Sequence, residues 1–213
     1  MIKLSKTSKL DGIKSWSLQA VDTCPGSKGE DGNLVPACSG CYATTGCYVF
    51  KTTKAPRLFN QEDWKRDGWV SDMVAALKKE KFFRWFDSGD MYAIKLAEKM
   101  LEVMKLTPHV KHWLPTRMAK FKKFQSILNE MDKLSNVKVR FSSDSIVGEY
   151  NENHGSVIIP TLADLKEGMS PCLAYENAGK CSGCRKCYDK DIPVIAYVQH
   201  GKKMAKVFKL TQV

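Results

Sequence analysis

No cysteine occurs between Cys47 and Cys172, a gap that splits the eight cysteines of this 213-residue chain into two quartets. No apolar run approaches the roughly 18 residues needed to span a bilayer, so no membrane segment is expected. Met1 is followed by Lys3, Lys6 and Lys9 instead of the apolar centre of a secretory signal, which points to the cytoplasm. Histidine is scarce: His109, His112, His154 and His200 are scattered, and each reads more simply as a packing or surface residue than as a ligand. No recognised nucleic-acid-binding motif is present.

What is present in quantity is clustered thiol. Cys24, Cys38, Cys41 and Cys47 form the first quartet, and Cys172, Cys181, Cys184 and Cys187 the second. Such clusters are either disulfides or metal ligands. Disulfide scaffolds are typically short secreted chains that lack a sufficient core. At 213 residues and 43% hydrophobic, this chain can build a core without covalent staples, so metal sites are the stronger expectation.

The second quartet reads Cys172-x8-Cys181-x2-Cys184-x2-Cys187. Structural zinc usually draws thiolates from two separate knuckles. A run of closely spaced cysteines wraps one loop around a larger object, as in bacterial ferredoxins, and Gly179 and Gly183 would let the backbone fold around it. Four thiolates would close such a [4Fe–4S] cluster, making the site structural or electron-transferring. Zinc remains the alternative. The first quartet, Cys24-x13-Cys38-x2-Cys41-x5-Cys47, lies in a glycine-rich stretch expected to be a long loop and could serve either metal. If Cys47 ligates, the site is closed; with only Cys24, Cys38 and Cys41, one iron is left open to an exogenous molecule.

The net charge of +11 and pI near 9.2 favour an anionic partner, nucleic acid being the commonest. Basic residues cluster at Lys78, Lys79 and Lys81, at Arg117, Lys120, Lys122 and Lys123, and at Lys202, Lys203, Lys206 and Lys209. Solvated helix and hairpin faces explain these runs equally well.

Hydrophobic periodicity predicts alternating strands and helices. Asn60 can cap a helix running to about Glu80. Strands are expected at residues 14–20, 82–86, 110–114, 137–141 and 155–159. A helix striped by Ala93, Ala97, Met100, Leu101 and Met104 follows the second of these. Another, carrying Phe121, Phe124, Leu128 and Met131, is capped by Thr116. Val194–Val198 and 205–210 flank His200-Gly201-Lys202 as a hairpin. The fold class is therefore α/β, a partial (β/α) barrel of about five or six mostly parallel strands, with Cys-rich loops at both ends of the chain. Residues 1–160 would form the barrel and its Cys-rich loop. Residues 161–213 would form the C-terminal cluster-binding segment, packed on the barrel as one unit.

Small polar segments sit where the predicted strands end: Asp87-Ser88-Gly89-Asp90, Thr116-Arg117 and Ser142-Ser143-Asp144. Loops at the carboxyl ends of parallel strands share one rim, where α/β proteins place their sites. The first quartet follows the opening strand and would join that rim. Each segment also has a plainer role, Asp90 and Thr116 as helix caps and Arg117 as a surface ion-pair partner.

Cys24-Pro25-Gly26, Cys38-Ser39-Gly40-Cys41-Tyr42-Ala43, Phe83-Arg84-Trp85-Phe86-Asp87-Ser88-Gly89-Asp90 and Trp113-Leu114-Pro115-Thr116-Arg117 resemble the phage gene-product-88-like family, as does the late Cys-rich motif. That family is similar to compact radical S-adenosylmethionine enzymes. The resemblance implies a [4Fe–4S] cluster on Cys24, Cys38 and Cys41, with S-adenosylmethionine on its open iron. Ser88, Gly89 and Asp90 correspond to the motif that meets the methionine amino group. Arg117, Ser142 and Asp144 complete the candidate cofactor-binding set. The chain departs from the radical-enzyme pattern in its thirteen-residue first gap and its small number of strands. Three readings stay open: a radical enzyme modifying a nucleic acid or peptide in the host cytoplasm, a non-catalytic iron–sulfur module that meets an electron donor or nucleic acid, and a structural zinc protein.

Overall fold

Alternating burial along the aromatic segment Phe82–Trp85 sets the layering of the molecule. Phe83 and Trp85 are fully buried in the main core, whereas Phe82 and Arg84 face the other side. A computed structural model describes residues 2–211. In chain order the elements are β1 (Ser5–Lys6), β2 (Lys14–Trp16), α1 (Pro36–Ser39), α2 (Lys51–Asp63), α3 (Trp69–Leu77), β3 (Phe82–Trp85) and α4 (Ile94–Leu106). They continue with β4 (Lys111–Thr116), α5 (Lys122–Lys133), β5 (Val137–Phe141), β6 (Ser156–Ile159), β7 (Met169–Cys172), β8 (Val194–Val198) and α6 (Lys202–Thr211).

The main sheet runs β1-β2-β3-β4-β5, parallel from β2 to β5, with β1 antiparallel at one edge. Sequential order with helical crossovers is half of a barrel wall, and the sheet stays open. Leu96, Ala97, Met100, Val103 and Met104 of α4 and Phe124, Leu128 and Met131 of α5 bury helical stripes against one face. The opposite face, with Phe82, Trp113, Lys138 and Arg140 on it, is covered by the turn at Lys186–Tyr188. A second sheet, β6-β8-β7, is parallel throughout and adjoins β5 through a Ser142–Ser156 bridge. It draws β6 from before residue 160 and β7 and β8 from after it.

Three local expectations are corrected. No single helix runs from Asn60 to Glu80: α2 starts earlier, and the chain breaks between Asp63 and Trp69. Asn60 is buried inside α2, where its side-chain amide donates to Lys3 O and Ser17 O, both at 3.0 Å. Thr116 and Asp90 do not cap helices; Thr116 ends β4, and Phe121 and Ala93 precede α5 and α4. The C-terminal hairpin is a helix. β8 already pairs on both sides, with β6 and β7, so no edge remains for a returning strand. Met204 and Phe208, four residues apart, instead pack as a helical pair against Ala37 and Ile146. β7 was not anticipated; its Pro171 suits an edge position. Among the described residues no helix is long and apolar enough to cross a membrane.

Candidate functional site

The first cysteine segment leaves the carboxyl end of β2 and folds through short helical turns at Pro25–Ser27, α1, Tyr42–Thr44 and Gly46–Val49. Its bonds are mostly local, such as Ser27 N to Cys24 O at 2.9 Å and Cys41 N to Cys38 O at 3.0 Å. It therefore needs outside support, which comes from the ends of β3, β4 and β5. A Cβ on Gly26 would lie 2.7 Å from both the Cβ and the carbonyl oxygen of Arg117. A Cβ on Gly89 would lie 2.5 Å from Leu18 Cβ, and its φ of +79° is one that glycine adopts freely. Lys120 Nζ donates to Gly26 O at 2.9 Å, and Ala37 N to Asp144 O at 3.0 Å.

This packing brings Cys24, Cys38 and Cys41 within electrostatic reach of one another. Burial, then Asp90 and the two other thiols, pushes the Cys24 thiol up to about 12. Burial raises Cys38 as well, against the opposing charge of Arg117 beside it. Such thiols are not activated nucleophiles; they ionise when a metal compensates the charge. Cys47 lies apart, exposed on the Gly46–Val49 turn, and all eight cysteines are free.

The predicted rim residues meet around this loop. Asp90 is buried and accepts from Met91 N (2.8 Å), Thr116 Oγ1 (2.8 Å) and Arg117 N (2.9 Å), tying the end of β3 to the end of β4. Burial outweighs those bonds and lifts its carboxyl to about 6. Oδ2 keeps an unused lone pair for a further donor. Arg117 Nη1 reaches Ser142 O (3.0 Å), Ser143 O (2.5 Å) and Asp144 Oδ1 (2.8 Å), so it braces the segment after β5. Asp144 also pairs with Lys120. The Ser142 hydroxyl accepts from Ser156 Oγ at 3.2 Å. The Ser88 hydroxyl donates to Leu18 O at 2.7 Å and accepts from Arg57 Nε at 2.6 Å, making it part of the wall.

Sequence reasoning missed the polar cluster under the loop. Asp87 accepts from Tyr48 OH (2.8 Å), Arg57 Nη2 (3.1 Å) and Arg84 Nη1 (3.2 Å), while its carbonyl accepts from Tyr42 OH at 2.7 Å. The two tyrosines flank Cys41 and Cys47, so this cluster anchors the end of the cysteine segment to β3. The presence of Arg84 within an otherwise aromatic strand was the available signal.

The second quartet lies on the opposite face of the main sheet. Cys172 ends β7, and Cys181, Cys184 and Cys187 follow on a loop in which Gly179 and Gly183 have φ of +77° and +84°. Cys172, Cys184 and Cys187 lie close enough to Cys181 for their charges to act on it, and burial lifts the Cys181 thiol to about 11. Cys187 Sγ is 3.6 Å from Tyr197 OH. Arg140, another residue without a sequence signal, donates from β5 to the carbonyls of Lys186, Cys187 and Asp189, each at 2.9 Å, and so shapes this loop. Among the described residues no three His, Cys, Asp or Glu side chains converge tightly enough for a single ion.

A family model described as gene product 88 matches residues 2–207. No curated protein and no solved structure matches the chain.

Proposed function

The chain belongs to the gene product 88 family, and from its two cysteine groups we propose that it is an iron–sulfur protein with two unlike centres. One, on the strand-end rim, is held by Cys24, Cys38 and Cys41; the other is closed by Cys172, Cys181, Cys184 and Cys187. The observation that carries this reading is the three-plus-four grouping. Three half-buried thiols share the rim while Cys47 sits on an exposed turn, and Cys172, Cys184 and Cys187 gather around Cys181 on the far face. Soft thiolates grouped three and four in this way suit an iron–sulfur centre.

Cys24, Cys38 and Cys41 would hold such a cluster, which would supply an electron and a binding position to a chelating co-substrate, for which S-adenosylmethionine is the candidate. This chain's own residues have separable tasks around it. Gly26 and Gly89 let the loop close on the strand ends. Asp90 fixes the distance between β3 and β4 and offers its remaining lone pair to a cationic amine. Arg117 holds the Ser142–Asp144 segment as the far wall.

The test is anaerobic purification with iron, sulfide and zinc counts for the wild type, Cys47→Ala and Cys38→Ala. The expected result is a brown protein with about eight irons, retained in Cys47→Ala and reduced by about half in Cys38→Ala. Calorimetric titration of the reduced protein with S-adenosylmethionine should show binding to the wild type and none to Cys38→Ala. A colourless protein with stoichiometric zinc overturns the reading. Loss of half the iron in Cys47→Ala overturns the open-iron part of it.

A further inference from the structure

Arg140 is a buried cation whose acceptors are all neutral. None of its surface is exposed. Besides the carbonyls of Lys186, Cys187 and Asp189, its Nη1 donates to Gly155 O (3.2 Å), Ile192 O (3.1 Å) and Pro193 O (3.4 Å). No ion pair with a carboxylate is formed by Arg140 among the described residues. A guanidinium does not escape by deprotonating, and a buried charge without a counter-charge in contact is strongly disfavoured. The bonds to backbone satisfy its N–H groups without neutralising it.

The Asp189 and Asp132 carboxylates act on Arg140 from beyond ion-pair distance, and on the same side lie Tyr197 and the thiol of Cys187. The residue whose carbonyl accepts from its Nε is Cys187, a member of the second quartet. Protonated thiols carry no charge, and neither do disulfides. Four thiolates around a cluster carry a net negative charge in a protein interior where little water screens it.

We propose that a negatively charged iron–sulfur cluster on Cys172, Cys181, Cys184 and Cys187 is the counter-ion of Arg140, and that Arg140 and Tyr197 position this centre and raise its reduction potential. The proposal rests on the reading that this quartet holds a cluster. Reduction adds an electron to a group that is already anionic. A fixed positive charge behind Cys187 and a hydroxyl aimed at its sulfur both favour that more negative state. Two further buried donors, Trp113 Nε1 and Tyr188 OH, have no acceptor among the described residues. They belong to the packed group that includes Cys181 and Cys187, as expected around an occupant rich in acceptor atoms.

The experiment is an anaerobic potentiometric titration of the full chain, with iron and sulfide counts for each variant. Cys184→Ser removes the second centre and so assigns its wave. Tyr197→Phe should keep its iron and be reduced at a more negative potential than the wild type. Arg140→Lys, which retains the charge, should keep the second cluster. Arg140→Gln should either shift the potential further down or lose iron from this centre alone. Full iron at the wild-type potential in Tyr197→Phe or Arg140→Gln overturns the proposal. So does equal loss of the second cluster from Arg140→Lys and Arg140→Gln, which would make the hydrogen bonds alone responsible. If Arg140→Gln does not fold, Tyr197→Phe decides. A wild type without iron and sulfide overturns the underlying reading instead.

Discussion

His112 Nδ1 accepts a hydrogen bond from Trp85 Nε1 at 3.2 Å, and this single contact fixes the imidazole as neutral. The proton must then sit on Nε2, which lies 2.9 Å from Thr107 Oγ1, while that hydroxyl donates onward to Val103 O at 2.7 Å. Protonating Nδ1 would set two donors against each other inside the core. Burial accordingly pulls the His112 pKa from its ordinary 6.5 to about 3. Below 6.5 the unfolded chain takes up a proton that the folded chain refuses, so stability falls as pH drops from 6.5 toward 3. The slope from this group approaches about 1.4 kcal/mol per pH unit within that window. Urea unfolding at pH 5 and pH 7 should show the loss in the wild type and a flatter dependence in His112→Gln.

Asp87 and Arg57 form an ion pair at 3.1 Å with side chains only 10% and 6% exposed. Asp87→Ala would strand two guanidinium groups, Arg57 and Arg84, in a half-dry pocket and release the Tyr48 hydroxyl. A cost of about 3–5 kcal/mol is expected from removing one member of a buried pair. The Arg57→Ala, Asp87→Ala double-mutant cycle in urea should give a coupling above about 0.5 kcal/mol. Additive single effects would mean that the pair is held by its other partners.

The contrast between these two networks explains what the sequence revealed. β3 and the first half of β5 were legible because their burial alternates with period two, and β4, which does not alternate, from its place between helices striped at period 3.6. The same patterning put Ser88, Asp90, Arg117, Ser142 and Asp144 on one rim, since parallel strands must end together. Asn60 and Thr116 were misread because caps and long-range anchors use the same small polar side chains, and only tertiary structure says which backbone they meet. Met204 and Phe208 share a face in either a strand or a helix, so their spacing could not choose. Arg140 occupies an ordinary strand position, and nothing local marks it as the anchor of a loop some 46 residues further on.

The apolar anchors of α6 can be tested one at a time. Phe208 and Met204 pack against Ala37 of α1 and Ile146, and a Cβ on Gly40 would lie 2.9 Å from Met204 Cα. Phe208→Ala should cost about 3 kcal/mol and loosen the loop carrying Cys38 and Cys41. Amide hydrogen exchange should show faster exchange in residues 36–45 and in α6, with β3 and β4 unchanged. Protection lost evenly across the molecule would contradict this local coupling.

Gly26 separates loop placement from general stability. A methyl group there meets Arg117 backbone and Cβ at 2.7–2.9 Å, atoms that cannot swing aside. At Gly12 an added Cβ meets nothing within 4 Å, although its φ of +83° strains any side chain. Gly12→Ala should therefore cost about 1–2 kcal/mol of backbone strain and leave both cysteine groups in place. Gly26→Ala should cost about 1–3 kcal/mol by overpacking, because the turn starting at Cys24 must move off the end of β4. That displacement predicts a selective defect, with iron lost from the rim centre and retained by the Cys172–Cys187 centre. Iron counts on the two variants at matched stability distinguish the cases. Equal iron content in Gly12→Ala and Gly26→Ala would mean that Arg117 does not set the position of Cys24.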